Sequence, residues 1–166
     1  GYIDNIQFQV KQPVYVEKTA AGAAFASGET KSIALPVGAY DVVTFDYKFT
    51  AGTKLHVGLL QKDWAKYYGY FKLNAEGVEG NYDGVTFEKL DNGYIRVTMD
   101  LAEITMTNSA NNANNAPETI AFMYIRGDWS DAAGEITNIR CLNEAEEEIC
   151  AGAAFAAGET KSIPVT

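Results

Sequence analysis

The feature that most constrains this chain is alternation. DVVTFDYKF (residues 41–49) places Val43, Phe45, Tyr47 and Phe49 on one side, and Val42, Thr44, Asp46 and Lys48 on the other. A period of two is that of a β-strand with one buried face. KLHVGLL alternates Leu55, Val57 and Leu59 against His56, Gly58 and Leu60. YIRVTMD alternates Ile95, Val97 and Met99 against Tyr94, Arg96, Thr98 and Asp100. Between GVTFEKL and YIRVTMD stands DNG (residues 91–93), a hairpin signal. IAFMYIRG and GEITNIRC read as two further strands, whereas LAEIT (residues 101–105) alone reads as a helical turn. The Asn-rich NSANNANNAPE after it is a polar loop. Seven or more short strands with turn signals at this spacing predict an all-β fold, an antiparallel β-sandwich of jelly-roll type.

A length of 166 residues fits one domain, or one domain with additions. The chain is 47% hydrophobic, enough for a core, but nothing approaches the run of about 18 apolar residues that a membrane-spanning helix needs. The net charge is −9, and no basic patch stands out, so neither nucleic acid nor an anionic membrane is an expected partner. A neutral ligand such as a sugar is compatible with this surface, and so is simple solubility. Two cysteines, Cys141 and Cys150, are too few for a disulfide scaffold and lack zinc-ligand company, although one bond between them stays open.

The chain also repeats itself. AGAAFASGETKSIALP begins at Ala21, and AGAAFAAGETKSIPVT closes the chain from Ala151, with twelve of sixteen positions identical. GYIDNIQF (residues 1–8) matches GEITNIRC (residues 134–141) at four of eight positions. A period of about 130 residues is one whole domain rather than a small solenoid unit. The order suggests tandem modules cut out of step. On that reading residues 1–8 are the closing strand of a preceding repeat and 9–20 a linker. Residues 21–142 are the complete module, 143–150 an acidic linker, and 151–166 the first strand of a following repeat. The alternative is that the fold needs strands beyond residues 21–142. No signal peptide is visible, and the opening strand-like pattern suggests that preceding sequence was cut away. Both flanks are expected to pair as strands, by exchange with neighbouring modules or with a second copy.

The stretch KDWAKYYGYFKL (residues 62–73) is the most informative for function. Unbroken alternation gives Tyr67, Gly69, Phe71 and Leu73 to the core, and Tyr68, Tyr70 and Lys72 to the outside. An exposed aromatic row is unusual without a ligand or partner. Trp64 lies in the loop before this strand, and Trp129 lies in the loop RGDWSDAAG. Pyranose rings present a flat C–H face that stacks on aromatic rings while their hydroxyls find polar groups. Gln61, Asp63, Lys66, Arg126 and Asp128 are near in sequence and suit those hydrogen bonds. The competing reading makes each tryptophan a lid folded onto the core, Tyr68 and Tyr70 cross-strand packing partners, and Arg126 the partner of an acidic neighbour.

Catalysis finds little support. His56, the only histidine, alternates with Leu55 and Val57 and reads as structural. No Ser/His/Asp set, metal-spaced cluster or phosphate loop is present. The acids that a glycosidase pair would require cluster in loops and in EAEEE rather than facing inward from strands.

GYIDNI, the pattern AFMYIRGDW…GEITNI and the strand FDYKF resemble jelly-roll carbohydrate-binding modules. The likeness is greatest to modules of cellulosomal, plant-fibre-degrading enzymes and cell-surface proteins of anaerobic gut bacteria, and it spans residues 30–142. It implies a secreted, non-catalytic module that holds an enzyme or a cell on β-linked plant polysaccharide: cellulose, β-glucan, xyloglucan or mannan. It also implies that Trp64, Tyr68, Tyr70 and Trp129 form the stacking platform. The runner-up is a structural or protein-binding repeat, a spacer or adhesin module of a secreted bacterial surface protein. Two departures stand out. Related jelly rolls often bind a structural calcium through an acid of the last strand, which is Asp4 in the first copy but Thr137 in the module's own. No other cofactor is expected. Phe8 in turn becomes Cys141.

Overall fold

The computed structural model describes residues 14–104 and 119–145. Their strands form two antiparallel sheets packed as a β-sandwich. The first sheet has the order β1 (Tyr15–Ala20), β11 (Ala133–Glu144), β4 (Val42–Ala51), β9 (Ile95–Asp100) and β8 (Val85–Lys89), with β2 (Ala23–Phe25) also beside β11. The second has the order β3 (Lys31–Gly38), β10 (Ile120–Ile125), β5 (Leu55–Leu60), β6 (Tyr67–Asn74) and β7 (Gly77–Glu79). The chain passes from one sheet to the other between β2 and β3, β3 and β4, β4 and β5, β7 and β8, and again from β9 to β10 to β11.

The core is what the alternation requires. Val43, Phe45 and Tyr47 of β4, Leu55, Val57 and Leu59 of β5, and Ile95, Val97 and Met99 of β9 all point inward and are buried. Phe49 is only partly buried, at the end of β4. Burial of so many large side chains, each worth about 1.5–3 kcal/mol, is the dominant favourable term in folding. Residues 91–93 make the expected hairpin: Gly93 N–H and Leu90 O, and Leu90 N–H and Tyr94 O, close at 3.0 and 2.8 Å, with Gly93 at φ +80°. Ile104 N–H bonds Asp100 O at 3.1 Å, one helical turn within LAEI. Cys141 is fully buried, and burial pushes its thiol up to about 11.

The repeated segment is not a single strand. Residues 21–36 contain β2 in one sheet, a turn, and the start of β3 in the other. Glu29 Oε2 accepts Ala26 N–H at 2.7 Å, Gly28 adopts φ +72°, and Phe25 and Ile33 plug the core from either side. The first copy, residues 21–36, is a sheet-to-sheet crossover.

Residues 9–20 were expected as linker, but within them Tyr15–Ala20 is β1, paired with Ile139–Glu144 of β11 in unbroken register. The reason lies in β11, which extends past GEITNIRC to Glu144 and leaves an edge that β1 covers. The expected acidic linker therefore starts inside a strand. Residues 146–150 of that linker, residues 1–8 and 151–166 with their expected strand pairing, Asp4, Cys150 and the Asn-rich loop lie outside the described residues.

Candidate functional site

The outward face of the second sheet carries the unusual chemistry. In β10, Met123 and Ile125 point inward, so Phe122 and Tyr124 point out. In β5 the outward positions are His56, Gly58 and Leu60. β6 breaks its own alternation. Val57 pairs with Phe71 but Leu59 pairs with Tyr68, so Gly69 and Tyr70 together oppose the single residue Gly58. This is a β-bulge, and one extra residue reverses which side chains face the core. Tyr68 is therefore in the core at 7% exposure, and Tyr67 and Tyr70 are outside. The expectation that Tyr68 lines the outer face is corrected; Tyr67 takes its place.

The rings form one continuous array. Trp64 meets Tyr124 edge-on at 5.0 Å between centroids and Phe122 at 5.9 Å. Tyr124 meets Tyr70 at 6.1 Å, and Tyr70 meets both Tyr67 at 5.6 Å and Trp129 at 5.7 Å. Trp129 meets the His56 ring at 5.6 Å. Such spacings are those of favourable aromatic pairs. Gly58 makes room for this: a Cβ there would sit 3.1 Å from two atoms of the Tyr70 ring.

Two loops bring in the tryptophans. Between β5 and β6, Gln61 N–H bonds Lys66 O, Trp64 N–H bonds Gln61 O, and Ala65 N–H bonds Asp63 Oδ1. Trp64 adopts φ +64°, a left-handed conformation that costs a bulky residue about 1–3 kcal/mol and is concentrated at functional sites. After β10, Gly127–Trp129 forms a single 3-10 turn. It is tied to β5 by Arg126 N–H to His56 O at 3.0 Å, and by Ser130 Oγ, which donates to Arg126 O and accepts His56 N–H. It is tied to the repeated segment by Gly127 N–H to Thr30 Oγ1, and a Cβ on Gly127 would lie 2.3 Å from Gly28 O. The crossover of the first copy thus buttresses the turn that carries Trp129.

An indole folded down as a lid would be buried. Trp64 and Trp129 instead stay 46% and 43% exposed. Arg126 lies over the Trp129 ring, its guanidinium carbon 3.5 Å from the centroid, and Asp128 grips it through Nε at 3.0 Å and Nη2 at 3.2 Å. That grip holds the Asp128 carboxyl below its usual range. Burial raises the Tyr70 phenol, with Tyr124 adding to the effect, so Tyr70 stays a neutral hydroxyl. Burial likewise lowers His56, assisted by Lys72 and Lys54 and opposed by the Trp129 carbonyl. Lys72 points outward from β6 and pairs with Glu79. Gln61 Oε1 and His56 Nδ1 are buried without a hydrogen-bond partner among the described residues.

The structure therefore gathers Trp64, Tyr70, Trp129, Arg126 and Asp128 on one surface, with Lys72 on the same face and Gln61 at its loop. Sequence reasoning missed Tyr67, Phe122 and Tyr124. The last two share the parity of Arg126 along β10, a signal that was present in IAFMYIRG. Among the described residues no group of three or more His, Cys, Asp or Glu side chains is placed to hold a metal, and Thr137 sits in register with Asp46 in the other sheet. Comparison with protein-family models, with curated proteins and with solved structures finds no match.

Proposed function

We propose that this chain is a non-catalytic carbohydrate-binding module of jelly-roll topology, which holds a secreted bacterial enzyme or surface protein on β-linked plant polysaccharide. The topology reading is supported by the strand orders β2-β11-β4-β9 and β3-β10-β5-β6, in which the chain winds between the two sheets as two interlocked Greek keys do. The observation that carries the functional reading is the array of six aromatic rings on one outer face, two of them tryptophans more than two-fifths exposed. Stacking of pyranose C–H faces on these rings, with sugar hydroxyls accepting from Arg126 and Tyr70 and donating to Asp128, accounts for why such rings face outward.

The experiment is affinity electrophoresis through gels containing cellulose derivative, mixed-linkage glucan, xyloglucan or mannan. Retardation by at least one, lost in Trp64→Ala, supports the reading; mobility unchanged in all four sinks it. A second reading, a spacer or adhesin module, is favoured by exposed Val14, Val16 and Val37 at 63%, 59% and 58%, on the β1 and β3 side of the sandwich. It expects no retardation in any glycan gel.

A further inference from the structure

The two tryptophans are not equivalent. Trp64 has ring neighbours, Phe122 and Tyr124. Trp129 carries a guanidinium on one face of its indole, at van der Waals contact. That face is closed to a sugar ring, because stacking needs the same 3.5 Å layer that Arg126 already fills.

Arg126 is held there from several directions. Its main-chain N–H and O are both bonded, to His56 O and from Ser130 Oγ. Its side chain is held by Asp128 through two hydrogen bonds and lies 5.6 Å from the Tyr70 centroid. A guanidinium has five N–H donors, and Asp128 takes two of them. Arg126 and Asp128 remain 35% and 60% exposed. The result is a fixed, charge-balanced pair that offers N–H donors beside carboxylate lone pairs, with little ordering entropy left to lose on binding.

We propose that the Arg126–Asp128 pair is the polar subsite of the aromatic face, that it takes two neighbouring hydroxyls of a neutral pyranose, and that Trp129 is its positioning residue rather than a stacking platform on that side. One hydroxyl accepts from the guanidinium while the next donates to Asp128. The ligand then runs along β10, from a stacking end at Trp64, beside Phe122 and Tyr124, to a hydrogen-bonding end at Arg126. This rests on the carbohydrate-binding reading above and goes beyond it in assigning the two ends different chemistry.

The test is a double-mutant cycle by calorimetry with soluble mixed-linkage β-glucan on the full chain, circular dichroism confirming each variant's fold. Arg126→Ala and Trp129→Ala are each expected to weaken binding about tenfold, the value of one charge-assisted hydrogen bond. The double variant should be no weaker than either single one, because both remove the same subsite. Trp64→Ala combined with Arg126→Ala should instead multiply. Trp129→Phe, which keeps a ring under the guanidinium, should restore most of the affinity. Asp128→Asn should weaken β-glucan binding, and polygalacturonate should bind worse than β-glucan.

The proposal is overturned if Arg126→Ala leaves affinity unchanged or tightens it, the sign of a bare indole stacking on sugar. It is equally overturned if the Arg126 and Trp129 effects multiply, or if Asp128→Asn tightens binding. Loss on Trp64→Ala with no effect of Arg126→Ala would sink this proposal alone. A wild-type chain that binds none of the four polysaccharides would sink the reading on which it rests.

Discussion

The two outward faces of the sandwich both belong to antiparallel sheets, and they spend their side chains differently. On the first sheet, Asp46 is only 6% exposed although it points away from the core. It accepts Arg96 Nε at 2.8 Å and Nη2 at 3.0 Å, and Asn138 Nδ2 at 3.0 Å, where β11 bulges and Asn138 adopts φ +49°. Tyr94 Oη donates to Glu135, and Lys48 lies over the Tyr94 ring. These polar groups are satisfied by one another. On the second sheet the outward groups are rings with exposed faces, one of them on a strained backbone. A face whose bonds close on themselves serves stability, and a face that keeps apolar area in water, at a cost, is available for a ligand.

That contrast can be broken by substitution. The largest stability loss is expected on the polar face. Asp46→Ala leaves Asn138 without this acceptor and Arg96 with only the longer bond to Glu88, and should cost about 1–3 kcal/mol in urea unfolding, while glycan affinity below the transition stays at the wild-type value. Gly58→Ala comes next. Its methyl group presses on the Tyr70 ring and on Tyr68 O, so overpacking of about 1–3 kcal/mol should be accompanied by a several-fold loss of affinity, linking the two properties on this face alone.

Trp64→Gly should separate them. Glycine relieves the left-handed strain, worth about 1–2 kcal/mol, against the loss of a half-exposed ring. Tm should therefore move by only a few degrees while glycan retardation disappears. A large fall in Tm would show that Trp64 is structural after all.

How much of this was legible in the sequence depended on whether period two held. Where it did, in β4, β5 and β9, every inward residue was identifiable. Where a bulge intervened, parity reversed and Tyr68 exchanged places with Tyr67. The hint was the pair Gly58 and Gly69 in adjacent strands, since a strand-interior glycine often marks a bulge. Trp64 and Trp129 were visible as tryptophans in polar loops, but the stacking of Arg126 on Trp129 was not. It depends on how the Gly28 and Gly127 backbones meet across the fold. β1 was unreadable for a similar reason. YVEKTA is a strand because β11 is long enough to receive it, and nothing within those six residues says so.

The smallest effect concerns pH. Burial holds His56 below its ordinary value, near pH 6.5 when unfolded, so the folded state binds fewer protons there than the unfolded one. Its contribution is fully present above about pH 6.5 and is lost as pH falls through the lower folded value. Thermal melts at pH 7.5 and pH 5 should show a fall in Tm that is smaller in His56→Gln; an equal fall in both would remove His56 from the account.

The central claim is that glycan contacts the aromatic face, and the chain offers a direct reporter. Its two tryptophans, Trp64 and Trp129, both lie on that face. Intrinsic tryptophan fluorescence, followed while a polysaccharide that retards the chain is titrated in, should shift and saturate with the same midpoint as binding. Retardation in the gel with an unaltered emission spectrum would place the ligand elsewhere on the molecule and contradict the claim.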